Sequence, residues 1–209
     1  MHNYPPFEMK SEADKCAFIE GRRFGMIIVN SGAVPAVAHV PMILIPGDPL
    51  VIEGHVARSN PVAALLKDGP AEALAVFNGP DAYVSAGFYP SKLRHGRVAP
   101  TWNYVAVHAS GRLTSFREAD QLVDHLARLS DHLEREQTRP WALSDAPEGF
   151  TDRLVPAITG FRLEVSQLDG IRKLSQNSRP EDRAGVLSAL AASPAPGDAA
   201  IHAEMTRDD

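Results

Sequence analysis

Short apolar runs separated by turn dipeptides constrain this chain more than any other feature. "FGMIIVN" starts at Phe24, and "SG" follows it as a hairpin turn. A return strand runs from about Ala33 to Ile45, and "PGDP" leads into the third strand, "LVIEGHV". "EALAVFNG" and "AYVSAGF" are expected as two strands around a "GPD" turn. "TWNYVAVHASGRLTSF" and the alternating "FRLEVSQLDG" complete the set. No long helix returns after each strand, so a doubly wound parallel sheet is disfavoured.

Helical signals are inserted among the strands. "SEADKCAFIEG" has Ser11 as a cap and Gly21 as a stop. Asn60 and Pro61 open a short helix that Gly69 ends. From Arg117 to Glu136, Leu122, Leu126, Leu129 and Leu133 recur at spacings of four, three and four. "APEGFTDRLVPAITG" reads as a helix stopped or kinked by Pro156, and "EDRAGVLSALAA" as the last helix. The fold class expected is mainly β with α additions: a barrel with helices inserted and appended at the C-terminus. Residues 1–192 form the domain, and 193–209 are expected to be a loose tail.

Several functions fall away on composition. The net charge is −5, which disfavours direct DNA binding, since duplex affinity rests on Lys and Arg neutralising phosphates. Cys16 is the single cysteine, so no internal disulfide and no Cys-based zinc site can form. No apolar run reaches membrane-span length, and "MHNYPPFEMKSEADK" lacks a signal-peptide core, so the cytoplasm is the expected compartment. There is no Gly-rich nucleotide loop and no HExxH pair. In "YVSAG", Tyr83 stands where a nucleophile elbow needs glycine. His125 and His132 lie two turns apart on one helix and are expected on its solvated face, with no metal between them.

Three polar segments remain. "GHVARSNP" delivers His55 from a strand, then Arg58, Ser59 and Asn60 at a helix start. It suits either a phosphate seat or a capped helix with a surface arginine. The loop "FYPSKLRHGRVAPT" carries Lys92, Arg94, His95 and Arg97 between Tyr89 and Trp102. "KLSQN" adds Lys173, a hydroxyl and two carboxamides. Together with the polar start of "HGRVAPTWNYVAVHASG", these describe a site for a flat, polar, anionic molecule.

"GHVARSNP", "FNGPDAYVSAGFYPSK", "HGRVAPTWNYVAVHASG" and "RKLSQNSRPEDRAGV" strongly resemble the PaiB-type family of FMN-binding proteins, also described as negative transcriptional regulators. The resemblance runs from about Tyr4 to Leu190. It implies a split β-barrel of the FMN-binding type, a homodimer, and a flavin at the dimer interface. By that resemblance Arg58, Ser59 and Asn60 face the phosphate, and His39, Val40, Pro41 and Met42 line the ring. Thr101, Trp102 and Asn103 come from a neighbouring strand, with Tyr89, Lys92 and Lys173 as further contacts. A flavin-dependent oxidoreductase is one activity this allows, although no acid, base or nucleophile stands out. Relatives usually read Ser-Pro-x-Trp-Tyr where this chain has Ser85, Ala86, Gly87, Phe88 and Tyr89. Haem-dependent piperazate synthases are distantly similar, and that likeness implies haem as the alternative cofactor, with His55 as its axial ligand. A third reading is a regulator acting through DNA or protein partners.

Overall fold

The computed structural model describes residue 1 and residues 4–207. Six strands are present: β1 (Phe24–Val29), β2 (Ala36–Ile45), β3 (Val51–Ala57), β4 (Ala71–Val84), β5 (Thr101–Phe116) and β6 (Ile158–Lys173). They hydrogen-bond in the order β1-β2-β3-β6-β5-β4 and close into a barrel. Seven helices accompany them among the described residues: α1 (Glu12–Arg22), α2 (Pro61–Leu65), α3 (Ser91–His95), α4 (Ala119–Glu134), α5 (Phe150–Leu154), α6 (Pro180–Ala191) and α7 (Pro196–Thr206). This is the split-barrel architecture that the resemblance implies, with α1, α2, α4, α5 and α6 among the helical additions expected.

The chain divides into two units. One comprises Ala13–Phe77 and His108–Leu168, the other Met1–Glu12, Asn78–Val107 and Asp169–Asp209. In the first unit, β1 pairs antiparallel with β2 (Met26 opposite His39) and with β4 (Met26 opposite Val76). β3 pairs with β2 (Met42 opposite Gly54) and with β6 (His55 opposite Gly160). Period-two alternation sends Ile27, Val40, Met42, Ile52, Val56, Phe161 and Leu163 into the core. Gly54 leaves room for a ring inside: a methyl there would lie 2.6 Å from Phe161. On the opposite face of β6, Gly160 leaves room for another ring, since a methyl there would lie 2.2 Å from Phe116. Helix α4 packs on β2 and β3. It buries Leu122, His125 and Leu129 on one stripe.

In the second unit, Phe7, Ala106 and Ile171 form a small core that Tyr104 packs against. Helix α6 is pinned to α3. The Asp182 carboxylate accepts from Ser91 N at 3.0 Å and from Ser91 Oγ at 2.8 Å. Gly185 lets α6 approach closely, because a methyl there would meet the Phe88 carbonyl at 2.2 Å.

Four details differ from the sequence reading. "GPD" is no turn: β4 runs unbroken through Gly79, Pro80 and Asp81. Its ladder with β1 spans only Ala73 to Val76, so the N–H that Pro80 lacks is not needed there. Second, residues 91–95 of the polar loop are the short helix α3. Third, the loose tail is helix α7, with Ile201 and Met205 buried. Arg183 donates to the Met205 carbonyl at 2.7 Å, and Gly197 sits against the Asp81 backbone. Fourth, His125 is fully buried rather than solvated, and His132 is half-buried.

Gly160 gives a direct test of the outer packing. Gly160→Ala is expected to lower the unfolding free energy by about 2–3 kcal/mol through overpacking against Phe116. Adding Phe116→Leu should recover part of that loss. Urea denaturation of the single and double variants measures both effects.

Candidate functional site

Two polar constellations stand out, one in each unit. In the first unit β3 alternates, so Ile52, Gly54 and Val56 are buried in the core while Glu53 and His55 share the face that α4 covers. Glu53 is buried, yet three donor groups surround it. His125 Nδ1 lies 2.9 Å from Oε1, Arg128 Nη2 donates to Oε1 at 2.6 Å, and Arg162 Nε donates to Oε2 at 2.8 Å. His125 continues the chain outward, with its Nε2 2.9 Å from His55 Nδ1. Phe116, seated on Gly160, closes the group. Its ring lies edge-on to His125 at 6.0 Å between centroids, and the Arg162 guanidinium sits 4.4 Å above it.

The electrostatics follow from this packing. Burial alone would raise the Glu53 carboxyl, but hydrogen bonds from His125, Arg128 and Arg162 together outweigh it and hold the pKa at about 2. Burial, reinforced by nearby His125, lowers His55 to about 4. His55 is therefore neutral at neutral pH.

In the second unit, β5 and β6 meet at their polar ends. Lys173, the last residue of β6, donates from Nζ to Thr101 Oγ1 and, at 2.8 Å, to the Trp102 carbonyl. Among the described residues no carboxylate pairs with this ammonium, and burial lowers its pKa. Asn103 is fully buried; its Nδ2 lies 3.0 Å from Ser175 Oγ and 3.6 Å from Met205 Sδ. Ser175 holds a left-handed backbone with φ 62. Around them lies a cavity of about 270 Å³ lined by Phe7, Tyr89, Thr101, Asn103, Lys173, Ser175, Asn177 and Ser178.

The sequence-derived residues are distributed between these places. Tyr89, Thr101, Asn103 and Lys173 are brought together in the cavity of the second unit. Trp102 alternates to the other face of β5, half-exposed, with its ring edge-on to Tyr83 at 5.9 Å. Lys92 is exposed on α3. In the first unit, Val40 and Met42 are buried in the core, whereas His39 is exposed and Pro41 partly so. Asn60 spends its Oδ1 on Val62 N at 2.9 Å, the capping role. Arg58 donates to the Pro156 carbonyl at 3.3 Å, and Ser59 is exposed. Sequence reasoning passes over Glu53, Arg128 and Arg162, and it sets His125 on a solvated face. The available signal was a carboxylate inside an apolar strand, two residues before His55, and a histidine at i+3 from Leu122 on the apolar stripe of α4.

A six-stranded barrel of this kind is shared with solved structures. A conserved hypothetical protein of Mycobacterium tuberculosis superposes with a TM-score of 0.60 at 14% identity, covering 86% of this chain and 94% of that one. The flavocytochrome Anf3 of Azotobacter vinelandii gives 0.57 at 14% identity, over 82% and 72%. At such identities these likenesses speak for the fold. The family whose model is described as "Putative FMN-binding domain" matches residues 1–167, and the chain belongs to it. The chain is also 33% identical to an uncharacterized Aspergillus fumigatus protein, over 72% of this chain and 74% of the relative. With the "Protease synthase and sporulation protein PAI 2" of Bacillus subtilis it shares 27% identity, over 88% and 86%. No described helix is long and apolar enough to cross a membrane.

The two shifted groups predict how stability depends on pH. Between pH 6.5 and about 4 the unfolded chain protonates His55 while the folded chain resists. Between 4.5 and about 2 the same holds for Glu53. Both contributions are complete above pH 6.5 and are lost on acidification. After allowance for solvent screening of the partly exposed ring, the His55 share is about 1–2 kcal/mol. Denaturation curves from pH 7 to pH 4 should show this decline. His55→Gln should flatten the upper window and leave the loss below pH 4.5 in place.

Proposed function

We propose that this protein binds FMN as a homodimer, with the flavin at the subunit interface, and serves a redox-linked or flavin-sensing role. The observation that carries the reading is the ammonium of Lys173. It lies in a polar cavity among hydroxyls and carboxamides with no carboxylate of its own. A partly buried cation without a counter-ion carries some of the desolvation cost of its charge, and an anionic ligand relieves that cost. The donors suit a phosphate or the hydroxylated chain next to it. At about 270 Å³ the cavity falls just below the usual ligand-pocket range of roughly 300–1,000 Å³. It therefore suits the tail of a flavin, and a ring system would lie outside it.

When bound, FMN supplies hydride or single-electron transfer. The chain's own groups bind and orient. Lys173 supplies the charge, Thr101 and Ser175 offer hydroxyls that switch between donor and acceptor, and Asn103 holds Ser175 in place. The family membership over residues 1–167 supports the choice of flavin. A regulatory role of the kind suggested by the PaiB resemblance fits ligand sensing or a protein partner better than duplex binding, given the net charge of −5.

The purified protein should show flavin absorption and quench FMN fluorescence on titration. Lys173→Ala should weaken FMN about 10–100-fold, the loss of one charge-assisted contact. Riboflavin, which lacks the phosphate, should be bound almost equally by both forms. A protein that takes up no FMN, or that carries a Soret band instead, overturns the reading, and the second result points to haem.

A further inference from the structure

The Glu53–His125–His55 chain lies outside the cavity assigned to FMN, and its chemistry follows from proton positions. Arg128 and Arg162 keep Glu53 a carboxylate, which can only accept hydrogen bonds. His125 must therefore carry its proton on Nδ1, the nitrogen 2.9 Å from Glu53 Oε1. The two guanidiniums already offset the carboxylate, so a second charge on the fully buried His125 ring would have no counter-ion. Neutral His125 then has a bare Nε2, which accepts from the Nδ1–H of His55. That leaves the Nε2 of His55 as a lone pair. It has no partner among the described residues, and it is not among the buried orphan atoms, so it is open to the surroundings.

We propose that Glu53 and His125 are positioning residues that lock His55 in the Nδ1–H tautomer, making its Nε2 a dedicated hydrogen-bond acceptor for a neutral ligand bearing an acidic N–H or O–H, such as an imide or a phenol. The packing serves this end. Phe116 lies edge-on to His125, and the His55 and His125 rings meet edge to face at 5.1 Å, so neither ring turns freely. Burial of the His55 ring disfavours its protonation and so keeps the lone pair available through the neutral range. This inference goes beyond the FMN reading and does not depend on it, because it involves none of the residues assigned to the phosphate.

Nitrogen-15 spectra of the full chain, labelled at histidine, test it. The His55 signals should show a protonated Nδ1 and a bare Nε2 at pH 7, and titration with phenol should shift the Nε2 signal saturably while leaving exposed His39 unmoved. His125→Phe removes the internal acceptor, and His55 should then move to the Nε2–H tautomer that imidazole prefers in water. Should that variant not fold, the wild-type tautomer and the phenol titration still decide. A wild-type Nε2–H tautomer overturns the lock, an unchanged tautomer in a folded His125→Phe variant removes His125 from it, and no response to phenol overturns the acceptor site. Failure of FMN to bind would leave all three readouts unaffected.

Discussion

A single carboxylate organises the outer layer of the barrel. Taking an isolated carboxylate out of water costs several kcal/mol unless its oxygens are bonded, so Glu53 requires donors from every element that reaches it. Arg162 comes from β6, and His125 and Arg128 come from α4. The helix cannot slide along the sheet without stranding that charge. Apolar contacts alone would tolerate some slippage; a buried ion with two guanidiniums and an imidazole does not. The missing side chain at Gly160 belongs to the same constraint, because it admits the Phe116 ring that covers the cluster.

The two polar constellations solve opposite problems. Glu53 is a buried anion with more cationic partners than it needs for neutrality. Lys173 is a partly buried cation whose partners among the described residues are a hydroxyl and a carbonyl. The first is electrostatically complete within the fold, and its reach outward is limited to one histidine nitrogen. The second is incomplete, which is the condition expected of a place that awaits an anion.

Much of the barrel was legible because strand alternation and turn residues are local signals. The core positions of β2 and β3 follow from period two, and the leucine spacing of α4 fixes its apolar stripe. The misreadings share a cause, which is tertiary context. Gly79–Pro80–Asp81 has turn chemistry, and nothing local reveals that β1 has already stopped pairing there. Residues 196–206 carry little amphipathic pattern, and their helix is held by contacts to Asn103 and Arg183, distant in sequence. For the candidate sites, alternation explains why Thr101 and Asn103 share a cavity and Trp102 does not. His125 was misplaced because histidine is usually solvated; only the position of Glu53, fixed by the β3 register, shows why a buried imidazole is needed.

The contact between Asn103 and Met205 sets an order of events during synthesis. The two residues are 102 positions apart. At ribosomal speeds of about 5–20 residues per second, the Asn103 carboxamide exists for roughly 5–20 seconds before its thioether partner has been made. Through that interval β5 is complete in sequence while its buried amide lacks one of its native partners. The wall of the polar cavity that Asn103 supplies is thus complete only after Met205 has been made.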